Sequence, residues 1–415
     1  MFRRFKDREM KYIYGPLSMN ILTENRMGRR RVADSVIERL ALAHGTGKYV
    51  FDLEYCRTFI REIKSSFNTL PVNTTIAYSI KANYHQNLLK LATEEGLAFD
   101  CASEKEVDIA LAVGIETSRI WVNTPFLTDE LLEKCVREGI RIHVDSMDQL
   151  EDLYQEATRQ RKQLEYGIRF NFPETDISRF GIEVSEQNIS RIKTLLKAYT
   201  NLHLKVLHTH FSGPDRSAEK FSKRADAIAS LYNQHFSSYD GLHINFGGGI
   251  FGPMMDQFAA QFSHKPAKVE DYTAALKRVI IRNNLNGVNL TIEPGMAIAA
   301  HSFYFIAEVL HLKEINGKSI VLLNTSNLFL KPTGHSRDLF FEVVSKSKGR
   351  YAKHQLVGIT CMESDVLGVY TGELAEGDLV FFHNVGAYTM SYRPDFIFNA
   401  PETILLADEF INEFK

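Results

Sequence analysis

From about residue 75 the apolar and polar positions follow one rhythm, a short apolar run and then a longer amphipathic stretch with its own start and stop signals. The runs Thr75–Lys81, Leu97–Cys101, Arg119–Asn123, Arg141–Asp145, Glu165–Phe170, His203–His210, Leu242–Phe246 and Asn289–Glu293 alternate in the manner of strands. Helices are expected between them. Ser103-Glu104-Lys105-Glu106 and Ser146-Met147-Asp148-Gln149 read as capping boxes, and Gly96, Gly114 and Gly139 stand where helices should stop. Eight strands alternating with helices match a (β/α)8 barrel, with an open doubly wound sheet as the alternative. From about Met296 the pattern changes. Ser319–Leu323, Leu356–Ile359 and Leu379–Phe382 read as strands without long helices between them, so a mostly β domain is expected. Val32–Leu40 is helix-like, and Gly45–Gly47 turns into a strand at Tyr49–Phe51. The fold class is therefore α/β, with a TIM-like barrel over 49–296 and a β domain over 297–415 joined by the N-terminal 1–48.

Composition narrows the function classes. A chain of 415 residues with 44% hydrophobic content has ample core for both parts. A net charge of −2 provides no field for nucleic acid or a membrane surface, which leaves a small molecule or another protein as partner. Arg29-Arg30-Arg31 reads as a solvated face or a dimer rim. The four cysteines, Cys56, Cys101, Cys135 and Cys361, form no Cys-x-x-Cys pair and no zinc spacing. Charge follows the N-terminal Phe2–Lys6 in place of an apolar run, and Met296–Leu310 is too short and polar to span a bilayer. A cytoplasmic location is expected.

In such barrels chemistry collects at the carboxyl ends of the strands. Those positions hold Lys81, Asp100, Asn123, Asp145, Arg169, His210, Gly247 and Glu293. Lys81 is either a lysine whose ammonium snorkels to water or an amine that burial has depressed in pKa for attack on an aldehyde. The polar company on its rim favours the second. Gly247-Gly248-Gly249 follows the seventh strand, where three residues without Cβ let backbone N–H groups close around a phosphate. His208 and His210 share one strand face by period two, and neither has a metal-ligand companion at helical spacing, so no metal is expected. A carboxylate buried at Glu293 must meet a cation or a protonated ring nitrogen. Cys361 and Tyr388 are open to a plainer reading as core residues.

Taken in order, these motifs resemble the fold type III pyridoxal-phosphate enzymes, specifically the ornithine and diaminopimelate decarboxylase family, whose barrel is related to alanine racemase. The resemblance runs from about Gly45 to Phe398 and rests on Tyr78-Ser79-Ile80-Lys81-Ala82-Asn83, Phe99–Glu106, Ile168-Arg169-Phe170, Arg179-Phe180-Gly181, His210, the three glycines, Glu293-Pro294-Gly295, Cys361 with Asp365, and Gly386-Ala387-Tyr388. It implies pyridoxal 5'-phosphate as cofactor. Lys81 would bond its aldehyde, Glu293 would meet its ring nitrogen and His210 its ring face. Gly247, Gly248, Gly249, Gly295 and Tyr388 would hold it, with Asp100 and Arg169 in the polar shell around the ring. The resemblance further implies a homodimer with shared sites, in which Cys361 of the neighbouring subunit returns a proton to Cα.

The departures from that family bear on the substrate, which the resemblance implies is an amino acid. Met296 stands where the family has an arginine after Glu-Pro-Gly, and His210-Phe211-Ser212-Gly213 departs from His-x-Gly-Ser towards the racemase form. Met362 replaces an acid after the cysteine, and Asn324-Thr325-Ser326 lacks the aspartate of ornithine decarboxylases. A free distal ammonium would then lie unpaired unless Glu363 or Asp365 met it, whereas Lys331, His335 and Arg337 offer cations. An acylated or carboxylate-bearing distal end is expected, such as a citrate-derived group of the kind used in siderophore assembly. The alternatives are a free diamino acid (ornithine, lysine or diaminopimelate), an amino-acid racemase, and a non-catalytic relative that binds a true decarboxylase.

Overall fold

The computed structural model describes residues 32–175, 178–210, 213, 215–346 and 348–406. The arginine run at 29–31, most of the N-terminal segment, and Phe211 and Ser212 lie outside the described residues.

The chain opens with a helix, Asp34–His44, and β1, Lys48–Phe51. Then come β2 (Thr74–Ser79), β3 (Ala98–Cys101), β4 (Ile120–Val122), β5 (Arg141–Val144) and β6 (Leu164–Asn171). A two-residue β7, Ile182–Glu183, pairs with the end of β6, and β8 (Leu202–His208), β9 (His243–Asn245) and β10 (Asn289–Ile292) follow. All pairings are parallel in the order β5-β4-β3-β2-β10-β9-β8-β6, and β5 also pairs with β6, which closes the barrel. Every strand expected from the alternation is present. Helices lie between them, and their caps are made as the serines foretell, with one difference. Ser103 and Ser146 accept the N–H of Glu106 and Gln149 at 3.3 and 3.2 Å, but the acid and amide reach back one residue further, to Ala102 N at 2.7 Å and Asp145 N at 2.8 Å. Those two bonds tie the helix starts to the strand ends that carry Asp100 and Asp145.

The remaining strands, β11 (Phe303–Ile315), β12 (Lys318–Leu323), β13 (Phe341–Val344), β14 (Arg350–Val357), β15 (Val366–Leu374), β16 (Leu379–Phe382) and β17 (Thr403–Leu405), make the second sheet. Tyr49–Phe51, placed within the barrel by a boundary at residue 49, belongs to this sheet instead. β1 pairs antiparallel with Phe303–Ile306 and parallel with Thr403–Leu405. Its Tyr49, Val50 and Phe51 are all buried, which a lone strand ahead of the barrel could not achieve. The two parts share one apolar core, in which Ile60 and Leu89 of the barrel helices join Phe303 and Phe382 of the sheet. That shared core sets the sheet's loops over the carboxyl ends of the barrel strands.

Candidate active site

All eight strand-end groups converge on one rim. Lys81 sits in a single 3-10 turn, Ile80–Ala82, that continues β2, and the β domain clamps this turn from above. Ser391 Oγ donates to the Lys81 carbonyl at 2.8 Å, the Tyr388 N–H donates to the Ala82 carbonyl at 2.8 Å, and Asn83 Nδ2 donates to the Gly386 carbonyl at 2.8 Å. The loop comes this close because Gly386 has no side chain: a Cβ there would lie 1.9 Å from the Ala299 carbonyl oxygen. Tyr388 is held at φ +57°, a left-handed conformation that aims it away from the ordinary course of the loop.

Lys81 Nζ donates to Asp100 Oδ2 at 2.8 Å, and Ser79 Oγ donates to the same oxygen at 3.1 Å. The expected depression of the Lys81 pKa is reversed in this state. Burial alone would lower it, but the Asp100 and Glu293 carboxylates outweigh burial and raise it. Asp100 is itself fully buried, which pushes its carboxyl up against the opposing pull of Lys81, and its Oδ1 has no hydrogen-bond partner.

Glu293 is the centre of the network. Asn245 Nδ2 and Trp121 Nε1 donate to its Oε1 at 2.7 and 3.4 Å, while His210 Nδ1 and His208 Nε2 lie 3.2 and 3.5 Å from Oε2. Burial would raise this carboxyl, but its interactions, those with His208 foremost, hold it well below the usual range. His210 is pushed down to about 3 by burial, so its ring is neutral. The Gly248 N–H donates to its Nδ1 at 3.1 Å, which assigns the proton to Nε2. Arg169 completes the rim: its guanidinium meets Asp145 at 3.3 Å, Asn123 at 3.4 Å and the His210 carbonyl at 3.1 Å, and lies over the Phe180 ring.

The glycine loop is a cradle that side chains would fill. A Cβ at Gly247 would meet the Thr209 carbonyl at 2.5 Å, and one at Gly248 would meet the Glu293 carbonyl at 2.6 Å. Gly247 and Gly249 also take φ of +68° and +86°. Buried Arg224 pins the loop by donating to the carbonyls of Phe246 and Gly248 at 3.1 and 2.8 Å. Gly295, at the start of the next turn, leaves room for Ser79, whose Cβ would otherwise be 2.9 Å away.

Beside Tyr388 and Met296 opens a cavity of about 520 Å³. Arg216, Lys331, His335 and Arg337 line it, and no acidic side chain does among the described residues. Arg216 Nη1 lies 3.2 Å from the Met296 sulfur, a weak acceptor for a guanidinium. Arg337 Nε and His335 Nδ1 are buried without a partner, and burial beside Lys331 and Arg337 pushes the His335 imidazole down to about 4.

The structure separates other expected residues from this rim. Cys361, Met362 and Glu363 sit on the turn between β14 and β15; Cys361 and Glu363 are exposed, and none of the three lines the cavity within this chain. Asp365 is not free to meet a substrate. It is buried and accepts from Asn327 N at 2.7 Å, Thr360 N at 3.1 Å and Thr360 Oγ1 at 2.6 Å, so its work is to shape the turn that presents Cys361. The search for metal ligands at helical spacing missed a strand arrangement. Ligand atoms of His208, His210 and Glu293 lie within 4.8 Å of one another, although the Gly248 N–H already occupies the Nδ1 lone pair of His210. Sequence reasoning also passed over Trp121, Asn245, His143 and the role of His208 beside Glu293. Each stands two residues before a rim position, on the same strand face.

Residues 56–300 match the family model described as pyridoxal-dependent decarboxylase, pyridoxal binding domain. A Staphylococcus aureus 2-[(L-alanin-3-ylcarbamoyl)methyl]-2-hydroxybutanedioate decarboxylase is 27% identical over 412 residues, covering 91% of this chain and 98% of the relative. A diaminopimelate decarboxylase of Haemophilus influenzae is 23% identical over 394 residues, covering 90% of this chain and 91% of its own. Among solved structures, the diaminopimelate decarboxylase of M. jannaschii in complex with L-lysine superposes at a TM-score of 0.81 with 20% identity and 93% of each chain covered. The fold, the amine-carboxylate-glycine rim and the family match converge on one conclusion: the chain belongs to the pyridoxal-dependent decarboxylases.

Proposed function

We propose that this pyridoxal-phosphate decarboxylase acts on an α-amino acid whose distal end carries carboxylates, such as an N-acylated diamino acid, and that it works as a homodimer with shared sites. The observation that carries the substrate reading is the cavity beside Tyr388, with Lys331, His335 and Arg337 in its wall and no acid among its described lining residues to balance them. A distal ammonium there would meet two cationic groups and a neutral imidazole, at a cost of several kcal/mol. A carboxylate would satisfy the unpartnered Arg337 Nε and His335 Nδ1. The S. aureus relative, named for an N-(alanin-3-yl) amide carried on a 2-hydroxybutanedioate, supports the same class of substrate.

The residues fit the cofactor. The glycine cradle excludes any Cβ, the buried Asp100 Oδ1 lacks a hydrogen-bond partner beside the Lys81 ammonium, and Glu293 is a buried carboxylate on the same rim. Lys81 would hold the aldehyde carbon. Glu293, kept ionised, would hold the ring nitrogen and its proton, and His210 would lie against the ring. Gly247–Gly249, Gly295, Tyr388 and Arg216 would hold the phosphate, with Arg216 supplying the charge that Met296 cannot. When bound, pyridoxal phosphate supplies an electron-withdrawing ring that accepts the electron pair freed when the Cα–carboxylate bond breaks and CO2 leaves. Asn245 and Trp121 fix the Glu293 carboxylate so that it need not reorient as ring charge changes. Asp100 would pair with the Lys81 ammonium whenever Lys81 is free, as it does here. The Cys361 thiol of the partner subunit then gives its proton to Cα, since this chain's own Cys361 lies away from the cavity.

The test is a comparison of kcat/KM for a carboxylate-bearing N-acyl diamino acid and for the free diamino acid. A ratio of about 100 or more is expected from one buried charge left unpaired, falling at least tenfold in Lys331→Met. A ratio below one overturns the reading.

A further inference from the structure

Closed eight-stranded barrels normally fill their interior with bulky branched side chains. This one does so incompletely at its amino-terminal end. Ala98 and Thr75 face inward there, and Gly167 is so close to its neighbours that a Cβ would lie 2.5 Å from the His143 ring. What remains is a cavity of about 300 Å³ that enters between the strand starts and ends below the catalytic rim. Two arginines, Arg119 and Arg141, and two histidines, His143 and His243, line it, and none of its described lining residues is acidic. Arg119 bonds only backbone among its recorded partners, at the Thr93 and Leu97 carbonyls, and Arg141 shares one charge with Glu165 outside the lining while its Nε has no partner. His143 is 1% exposed, and neither of its ring nitrogens has a hydrogen-bond partner. A buried imidazole whose ring N–H has no acceptor, on the wall of a cavity lined by Arg119 and Arg141, is an arrangement that a ligand with acceptor oxygens would complete at that N–H.

The top of this cavity is the underside of the catalytic centre. Trp121 and Asn245 line it, and they are the two donors to Glu293 Oε1. Trp121 also stacks on His143, with ring centroids 5.6 Å apart. A ligand that displaces either side chain changes the hydrogen bonding of Glu293 without entering the substrate cavity.

We propose that the amino-terminal end of the barrel is a second binding site, for a small anion of the carboxylate or phosphate class, and that its occupancy acts on the catalytic centre through Trp121 and Asn245. The proposal stands whatever the substrate is, because it uses none of the residues around Tyr388. Trp121 is the single tryptophan of the chain, so its emission reports this wall and its contact with Glu293, and the cofactor is kept saturating so that a change at constant cofactor occupancy is read. Cofactor-saturated protein is titrated with inorganic phosphate, with succinate, and with sodium chloride at matched ionic strength. A saturable emission change with phosphate or with succinate is expected, and the arm that responds tells the two sources apart. It should be absent with chloride, weakened at least tenfold in Arg141→Met and in His143→Phe, and unchanged in Lys331→Met of the substrate cavity. Cofactor absorbance in each variant verifies that the barrel has folded. The coupling is tested by linkage: the factor by which the anion changes cofactor affinity must equal the factor by which cofactor changes anion affinity. No saturable response, a response equal with chloride, or one lost in Lys331→Met but kept in both lower-cavity variants overturns the site. A coupling factor of one overturns its action on the catalytic centre.

Discussion

Glu293 illustrates how little of a buried residue's behaviour follows from its identity. Burial by itself would neutralise it, yet an indole and an amide donor on one oxygen and His208 beside the other keep it ionised. If that charge holds the ring proton, Glu293→Gln should keep the shape of the site and lose the effect. The expected outcome is a kcat reduced by about 100-fold or more, the scale of losing one preorganised electrostatic contact, with cofactor still bound and its absorbance band shifted. A variant with unchanged kcat would remove Glu293 from that role. At this scale the rim itself was legible, because one polar group at each strand end is visible in a linear sequence. The layer beneath it was equally available and went unread. His208, Asn245, Trp121 and His143 each precede a rim residue by two, and period two puts them on the same inward face. The Lys81 pKa was misjudged for a different reason: burial is inferable from alternation, whereas the Asp100 carboxylate 2.8 Å away comes from a neighbouring strand whose register only the folded barrel reveals.

Among the elements, the alternation of apolar runs with capped helices located all eight barrel strands, since closing a parallel sheet requires that pattern throughout. It did not reveal that β1 lies in the other sheet, because strand pairing across some 250 residues leaves no local signature. The turn between β14 and β15 shows the same limit. The spacing of Cys361 and Asp365 was readable, but Asp365 turned out to be the turn's internal staple instead of a substrate contact. Its carboxylate accepts three hydrogen bonds, and Gly358 packs so near that a Cβ would lie 2.3 Å from Oδ2. Asp365→Ala should therefore leave two backbone N–H groups and a hydroxyl without their acceptor, costing on the order of 3 kcal/mol in this turn. Activity should fall with little change in cofactor affinity, and hydrogen exchange should rise at residues 358–365 while the barrel strands stay protected. A variant whose turn remains protected, with a raised KM for substrate alone, would return Asp365 to the substrate.

For the molecule as a whole, the barrel rim of one chain supplies everything the proposed chemistry needs except the proton donor for Cα. Cys361 is exposed on a turn away from the cavity, and Phe396, Ile397 and Phe398 are 48%, 52% and 43% exposed in succession. That run of exposed apolar side chains is a candidate for one face of the proposed homodimer. A second copy, related by a two-fold axis, could bring its Cys361 turn to this chain's rim and receive the reciprocal turn in return. The consequence is quantitative. A Lys81→Ala protomer has a dead rim and a sound Cys361, and a Cys361→Ala protomer has the reverse. Neither homodimer works. Random pairing at equal ratio makes half the dimers mixed, and each mixed dimer joins one sound rim to one sound thiol at one of its two sites, so about a quarter of the wild-type activity should return. Recovery at that level, appearing with the kinetics of subunit exchange, is the expected outcome. Exchange demonstrated by labelled subunits with no return of activity would mean that each chain finds its proton donor within itself.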